Sequence, residues 1–395
     1  MTFSHPGLAD GPVYLDYNAT TPVDPAVVEA MMPYLTAHFG NPSSAHPYAA
    51  VPRAALTAAR AQVGALIGAG GEGIVFTGSG SEANNLAIRG AVLAGGVDRP
   101  HVITQVTEHP AVLATCAVLH RLHGVEVTYL PVDGHGLVDP AALHAALTPR
   151  TVLVSVMAAN NETGVLQPIA ELARIAHAHG VLVHTDAAQA AGKIPVDVAD
   201  LGVDLLTVVG HKMYAPKGIA ALYRRPDLTL EPIVYGGGQE HGLRAGTENV
   251  ALAVALGAAA TLADADLADG GHLRLRVLRD RLYQRLTAAL GDRVVFNGHP
   301  DRRLPHTLNL SVTGVSGDDL LAAVPGVAAS TGSACHAGSR APSPVLAAMG
   351  LPAERSLAAL RLSLGRWTTA ADVDRAADLL TTAARGLSRA ATRAS

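Results

Sequence analysis

The chain has 395 residues, 49% of them hydrophobic and 16% charged, with a net charge of -4; it is long enough to bury the cores of two domains, and its charge gives no electrostatic reason to expect a nucleic-acid partner. The 40 glycines and 24 prolines punctuate it throughout, and no apolar run is expected to reach the ~20 residues that a membrane span needs. Residues 1–6 carry neither a basic region nor an apolar signal core, so a soluble cytoplasmic protein without membrane partners is expected.

From residue 74 to about 223, short apolar runs alternate with longer helical patterns. Strands are predicted at 74–76, 101–104, 125–130, 151–157, 181–184, 204–208 and 218–223, and helices begin near Ser81, Pro110, Pro140 and Pro168. This alternation predicts an α/β fold with a mainly parallel seven-stranded sheet, helices on both faces, and ligand groups gathered at strand ends. After Asn249 the texture changes to a long alanine- and leucine-rich helix over 250–290, broken near Gly270 and Gly271. Short strands at 307–312 and 360–364 and a final helix from Ala370 complete what reads as a smaller α+β domain. The expected division is a large domain at 14–250 and a small one at 251–395 joined by residues 1–13. The alanine enrichment reads as compositional bias.

The chain has three lysines, Lys193, Lys212 and Lys217. Lys212 closes Leu-Leu-Thr-Val-Val-Gly-His-Lys at the end of one predicted strand, and Asp186 closes another in His184-Thr-Asp-Ala-Ala-Gln189. Pyridoxal 5'-phosphate chemistry needs this pair: an amine to condense with the cofactor aldehyde, and a carboxylate to keep the pyridine nitrogen protonated. A surface lysine and a capping aspartate are the plainer alternative. His211, beside the lysine, is placed to orient the phosphate or the base. Thr77-Gly-Ser-Gly-Ser81, after a strand and before a helix, offers Gly80, Ser81 and a positive dipole end to a phosphate.

The two cysteines read differently. Cys116 lies in an apolar helical run and is expected in the core. Cys335 lies in Ser330-Thr-Gly-Ser-Ala-Cys-His-Ala-Gly-Ser-Arg340, a small-residue stretch with no packing periodicity, which predicts an exposed loop. His336 and Arg340 favour its thiolate, the nucleophilic form. A Cys335–His336 metal pair lacks further ligands, and no metal is expected.

The stretches Tyr14-Leu-Asp-Tyr-Asn-Ala-Thr-Thr-Pro22, Phe39-Gly-Asn-Pro-Ser-Ser44, Asn160-Asn-Glu-Thr-Gly164, Gly236-Gly-Gly-Gln-Glu240, Gly246-Thr-Glu-Asn249 and Gly332-Ser-Ala-Cys335, with the segments around Asp186 and Lys212, resemble the cysteine desulfurases. These are class V, fold-type I pyridoxal phosphate enzymes, and the resemblance runs from about Val13 to the C-terminal helix. It implies that L-cysteine is converted to L-alanine, that Lys212 removes the α-proton, and that Cys335 takes the sulfur as a persulfide for an acceptor protein. Iron–sulfur cluster assembly is one destination of such sulfur. The resemblance also gives His109 a place over the cofactor ring and in proton transfer, and gives Asn160 and Gln189 contacts to the ring hydroxyl and the substrate side. Arg361 would bind the substrate carboxylate with Asn41 and Asn160 nearby, and Thr247 would reach the phosphate of the other subunit in a homodimer. On residue chemistry alone His109 reads equally as a helix cap, Asn160 and Gln189 as strand-end hydrogen-bond fillers, and Arg361 as an ion-pair partner. Two departures stand out: Gly78-Ser-Gly-Ser81 replaces the usual glycine-alanine-threonine order, and Val209 replaces a serine three positions before the lysine. Val209 with Gly-His-Lys, and Ala-Cys-His, resemble selenocysteine lyase, which makes L-selenocysteine the alternative substrate. A class V aminotransferase and an inactive cofactor-binding partner protein are the remaining readings.

Overall fold

The computed structural model describes residues 5–332 and 341–394. After β1 (Val13–Tyr14) come β2 (Ile74–Thr77), β3 (His101–Gln105), β4 (Glu126–Leu130), β5 (Thr151–Ser155), β6 (Leu182–Asp186), β7 (Leu205–Val209) and β8 (Ala220–Arg224). These last seven form one sheet in the order β2-β8-β7-β6-β5-β3-β4. β8 runs antiparallel to β2 and β7, and the other pairings are parallel. Every residue of β2, β3 and β7 is buried, as expected of strands covered on both faces, where the side-chain alternation of a half-exposed strand disappears. β5 leaves the ladder at Ser155, short of the expected Met157, but Val156 and Ala158 still donate to His184 O and Asp186 O. The extended backbone thus carries the chain past the sheet edge to Asn160.

A second body contains β9 (Val294–Phe296), β10 (Thr307–Val312), β11 (Val327–Ala328) and β12 (Ala359–Ser363). β12, β10 and β9 make an antiparallel sheet, and β1 pairs in parallel with β11. Leu15, Leu282, Leu286, Leu308, Leu310, Leu360, Leu362 and Val373 form its core. β1, β9 and β11 are too short to show a periodicity in sequence.

The long alanine-rich segment breaks where expected, into helices Val250–Ala268 and Gly271–Leu290, but the two halves join different cores. Ala253, Leu256 and Ala260 pack in the first core, whereas Leu275, Leu278 and Leu282 pack in the second. The change of core thus falls at the break that follows Ala268, later than the expected division after residue 250. Helix Val250–Ala268 lies on helix Ala50–Leu66, and a Cβ at Gly257 would stand 2.9 Å from Ala59 Cα. Small side chains allow that approach, so here alanine and glycine have a packing role beyond composition. This helix also corrects the reading that no apolar run approaches a span: its 19 residues, at a mean hydropathy of 1.7, have the length and composition to cross a membrane. Its placement in the first core accounts for that apolarity, because a helix hydrophobic all round is a buried one.

Candidate active site

Parallel strands bring their C-terminal ends to one edge of the sheet, and the candidate residues stand there. β7 ends at Val209, and a 3-10 turn, Gly210–Lys212, presents the lysine. Lys212 Nζ donates to Asn18 O at 2.6 Å and to Ala19 O at 2.8 Å. His211 Nδ1 lies 3.2 Å from Thr20 Oγ1. Burial, with Lys212, Lys217 and Lys193 around it, pushes the His211 pKa down to about 4, so its imidazole is neutral at physiological pH. Lys193 stands in a turn after β6. It is partly buried, its Nζ donates to Gln189 Oε1 at 2.7 Å, and burial beside Lys212 and Arg361 holds its pKa well below the ordinary lysine value. Gln189 in turn donates from Nε2 to Asn18 O at 3.0 Å.

Asp186 ends β6 and is 7% exposed. Its Oδ1 accepts from Ala188 N at 2.9 Å and its Oδ2 from Asn84 Nδ2 at 2.7 Å. His109 follows β3 and caps helix Pro110–His123, with Nδ1 accepting from Ala111 N at 3.1 Å. Burial lowers its pKa; Asp186 opposes that shift and Lys212 adds to it. This histidine is a helix cap that stands within electrostatic reach of Asp186 and Lys212. Asn160 engages its amide locally: Nδ2 donates to Thr107 O at 3.1 Å, and Oδ1 accepts from Glu162 N and Thr163 N, each at 2.9 Å. It thereby locks the turn beside the His109 loop, which is the strand-end role.

Ser79 caps the helix Gly80–Ala94, and Ser81 is exposed in its first turn. Exposed hydroxyls and unpaired amides at such an end suit an anion. The two sequence departures meet here: a Cβ at Gly80 would stand 2.5 Å from Val209 Cγ2, so the branched side chain at 209 fits because residue 80 lacks a methyl. Thr247 is exposed and lines a cavity with Thr77, Gly78 and Arg244. Asn41 lies on an exposed loop, where its Oδ1 accepts from Ser43 N at 2.9 Å; its contacts are local, and the single chain does not bring it into the cluster.

Arg361, on β12, is 1% exposed. Its Nη2 donates to Asp16 Oδ1 at 2.8 Å and its Nη1 to Asn161 O at 3.2 Å, while Nε is buried without a partner. An unmet donor on a buried guanidinium suits a carboxylate ligand. Cys335, His336 and Arg340 lie outside the described residues. The segments flanking them are anchored beside this cluster: Arg361 N donates to Ser330 O at 2.6 Å, and Ser343 Oγ to Glu162 Oε2 at 2.6 Å. Cys116 is fully buried in a third apolar cluster, and burial, with Glu108 adding, pushes its thiol pKa to about 12, which leaves it unreactive.

Sequence reasoning passed over Asn18, Asn84 and Glu108. Asn18 joins the two bodies: its N donates to Ser363 Oγ at 2.9 Å, its Nδ2 to Thr307 Oγ1 at 2.9 Å, and its Oδ1 lies 2.9 Å from His306 Nε2. Its place in the Tyr14–Pro22 motif was the available signal. Glu108 is buried, with Oε1 accepting from Gln105 Nε2 at 2.9 Å and Met157 N at 2.6 Å, and with Oε2 unpartnered.

An amine, a carboxylate, an imidazole, a helix N-terminus and an unmet guanidinium donor converge on one edge, and they fit a pyridoxal phosphate with an amino-acid substrate. The chain matches the family model for class-V aminotransferases over residues 13–376. It is 46% identical over 366 residues to the cysteine desulfurase of Homo sapiens, with 92% of this chain and 79% of the human protein aligned. A solved NifS-like protein superposes with a TM-score of 0.86 at 33% identity, over 95% of this chain and 99% of its own. SspA in complex with cysteine superposes with a TM-score of 0.77 at 36% identity, over 89% and 98% respectively.

Proposed function

The chain belongs to the class-V aminotransferase family, whose members are fold-type I pyridoxal phosphate enzymes, and from that premise we propose that it is a cysteine desulfurase, converting L-cysteine to L-alanine with a persulfide on Cys335. The observation that carries the reading is the convergence of Lys212, Asp186 and His109 at one sheet edge with the unmet Nε donor of Arg361 in the second body.

Pyridoxal phosphate, when bound, supplies an aldehyde for the amine and a sink for electrons. Lys212 would hold it covalently, and its Nζ would take the α-proton of the substrate; Asn18 O and Ala19 O accept from that amine and are aligned to hold its protonated form. Asp186 would keep the ring nitrogen protonated. Gly80, Ser81 and His211, with Thr247 from a second copy of the chain, would hold the phosphate, and Gln189 would meet the ring hydroxyl. Arg361 orients the substrate carboxylate. The Cys335 thiolate attacks the substrate sulfur; an S–S bond forms, the C–S bond breaks, and its electron pair returns to carbon, where protonation gives the methyl group of alanine. His109 carries protons between these stations.

The active form is a homodimer. Phe39 and Tyr48 pair their rings at 5.6 Å while 72% and 69% exposed, and Tyr235 is 71% exposed; apolar rings displayed this way suit a second copy. The protein works in the cytoplasm and passes sulfur to an acceptor protein. Selenocysteine lyase is the second reading, carried by Val209 at the helix end where a serine hydroxyl would meet the phosphate.

The deciding experiment is anaerobic product analysis with L-cysteine and L-selenocysteine. Wild type and Cys116→Ala should release alanine and sulfide from cysteine, whereas Cys335→Ala should keep the cofactor's absorbance and release none. Full activity in Cys335→Ala removes the persulfide step. Alanine from selenocysteine alone makes the enzyme a lyase.

A further inference from the structure

Asn84 stands on the helix Gly80–Ala94, one turn past its N-terminus, and is 1% exposed. Its Nδ2 donates to Asp186 Oδ2 at 2.7 Å, and its Oδ1 is enclosed without a hydrogen-bond partner. We infer that Asn84 is a positioning residue that holds the Asp186 carboxylate aimed at the cofactor's ring nitrogen, an inference that rests on the functional reading above.

Packing alone does not explain an amide here. A buried acceptor left unpaired costs stability, and a leucine of similar volume would avoid that cost. The contact to Asp186 is what the amide provides. Asp186 is nearly enclosed, and hydrogen bonds donated to its carboxylate oxygens fix the direction in which the group faces. The structure supplies two such donors, one to each oxygen: Ala188 N from the residue's own turn and Asn84 Nδ2 from the helix. The other titratable groups close enough to act on this carboxylate, or to feel it, are Glu108, His109 and His184. Glu108 is an acid, and burial pushes the His184 pKa down to about 4, so neither is a cation at neutral pH. The two neutral donors fix how the carboxylate is held.

The sign of the effect follows. Removing the Asn84 donor leaves the carboxylate held by Ala188 N alone and free to turn, so the ring nitrogen would lose its partner and part of its pyridinium character. The same helix would offer its N-terminus to the phosphate, and loosening Asp186 should also speed cofactor loss.

The test uses the full-length chain reconstituted with pyridoxal phosphate isotope-labelled at the ring nitrogen and observed by NMR. Wild type should show a protonated nitrogen. Asn84→Leu and Asn84→Ala should move the signal toward neutral pyridine and release cofactor about tenfold faster, the size expected for one hydrogen bond to a charged group. Asn84→Asp, which keeps the shape, should introduce a pH step in the nitrogen signal, because two carboxylates in contact share one proton. A purely structural Asn84 predicts the opposite pattern: altered melting temperatures with the nitrogen signal and cofactor release as in wild type. That pattern in Asn84→Leu, or an absent step in a folded Asn84→Asp, overturns the inference while leaving the functional reading intact. A wild-type chain that takes up no pyridoxal phosphate overturns both.

Discussion

Asp186, His109 and Lys212 reach the site from the ends of β6, β3 and β7, while Arg361 reaches it from β12 in the second body and Asn18 from the segment after β1. The first group is held by backbone: its strands belong to one hydrogen-bonded sheet, and their spacing survives the loss of any one side chain. The second is held by side chains. Arg361 leans on Asp16, and Asn18 on Thr307, His306 and Ser363, so single substitutions there remove geometry as well as chemistry. Such a division lets the substrate-facing wall be adjusted without disturbing the floor beneath the cofactor.

Arg361→Ala gives the comparison its sharpest edge. It should lower kcat/KM for cysteine by roughly a thousandfold, about 4 kcal/mol, because it removes a charged two-pronged contact and strands Asp16. The cofactor's absorbance should not change, since the floor is intact. Arg361→Lys keeps the charge without the fork and should recover only part of the loss. A shifted cofactor spectrum in either variant would show that wall and floor are one unit.

Glu108→Gln probes the floor from below. Burial raises the Glu108 pKa from 4.5 to about 8, with the Met157 amide opposing and Asp186 adding to the shift. Between those two values the unfolded chain releases a proton that the folded chain retains, so wild-type stability should fall as pH rises through this window. The amide that replaces the carboxylate can accept both existing hydrogen bonds through its oxygen without ionising. The variant should therefore be more stable at pH 8, on the order of 3 kcal/mol, and lose this slope in a series of melting curves. A wild-type slope that persists in the variant assigns it to another group.

Asn18→Ala should cost about 2 kcal/mol in denaturant unfolding, by leaving the buried His306 and Thr307 short of partners. It should also slow turnover through Lys212 and Gln189, which donate to the Asn18 carbonyl. Loss of stability with full turnover would place it in the wall alone. The smallest effect is expected at Gly80. Gly80→Ala should cost about 1 to 2 kcal/mol by overpacking Val209, and Gly80→Ala with Val209→Ser should recover most of it. Additive losses in that double-mutant cycle would mean that the contact yields without strain.

Asp186 and Lys212 were legible in sequence because each closes an apolar run, and a strand end predicts a position in space, whereas His109 and Arg361 were named only through the family resemblance. All seven strands of the large sheet were readable from their apolar runs. The pairing of Asp16 with Arg361 was not, since it spans nearly the whole chain and no local pattern announces it. Asn84 was hidden too: it reads as an ordinary polar residue of an amphipathic helix, and only the fold brings Asp186 against it. The expected domain division followed the change of composition at Asn249, whereas the helix that follows packs in the first core. The residues around Cys335 were read from their small side chains alone, and the anchors at Ser330 and Ser343 add where that segment is tethered.

His109 has a further property that follows from its capping bond. A ring nitrogen that accepts from an amide, as Nδ1 does from Ala111 N, carries no hydrogen, so the neutral ring must be the Nε2–H tautomer. Proton traffic then has a single port. Nε2–H can only donate a hydrogen bond; a proton can be gained only at Nδ1, which would require the first turn of helix Pro110–His123 to release its cap. A depressed proton affinity, set mainly by burial, makes any extra proton short-lived at this ring. The capping bond thus holds the neutral imidazole in one orientation and one tautomer.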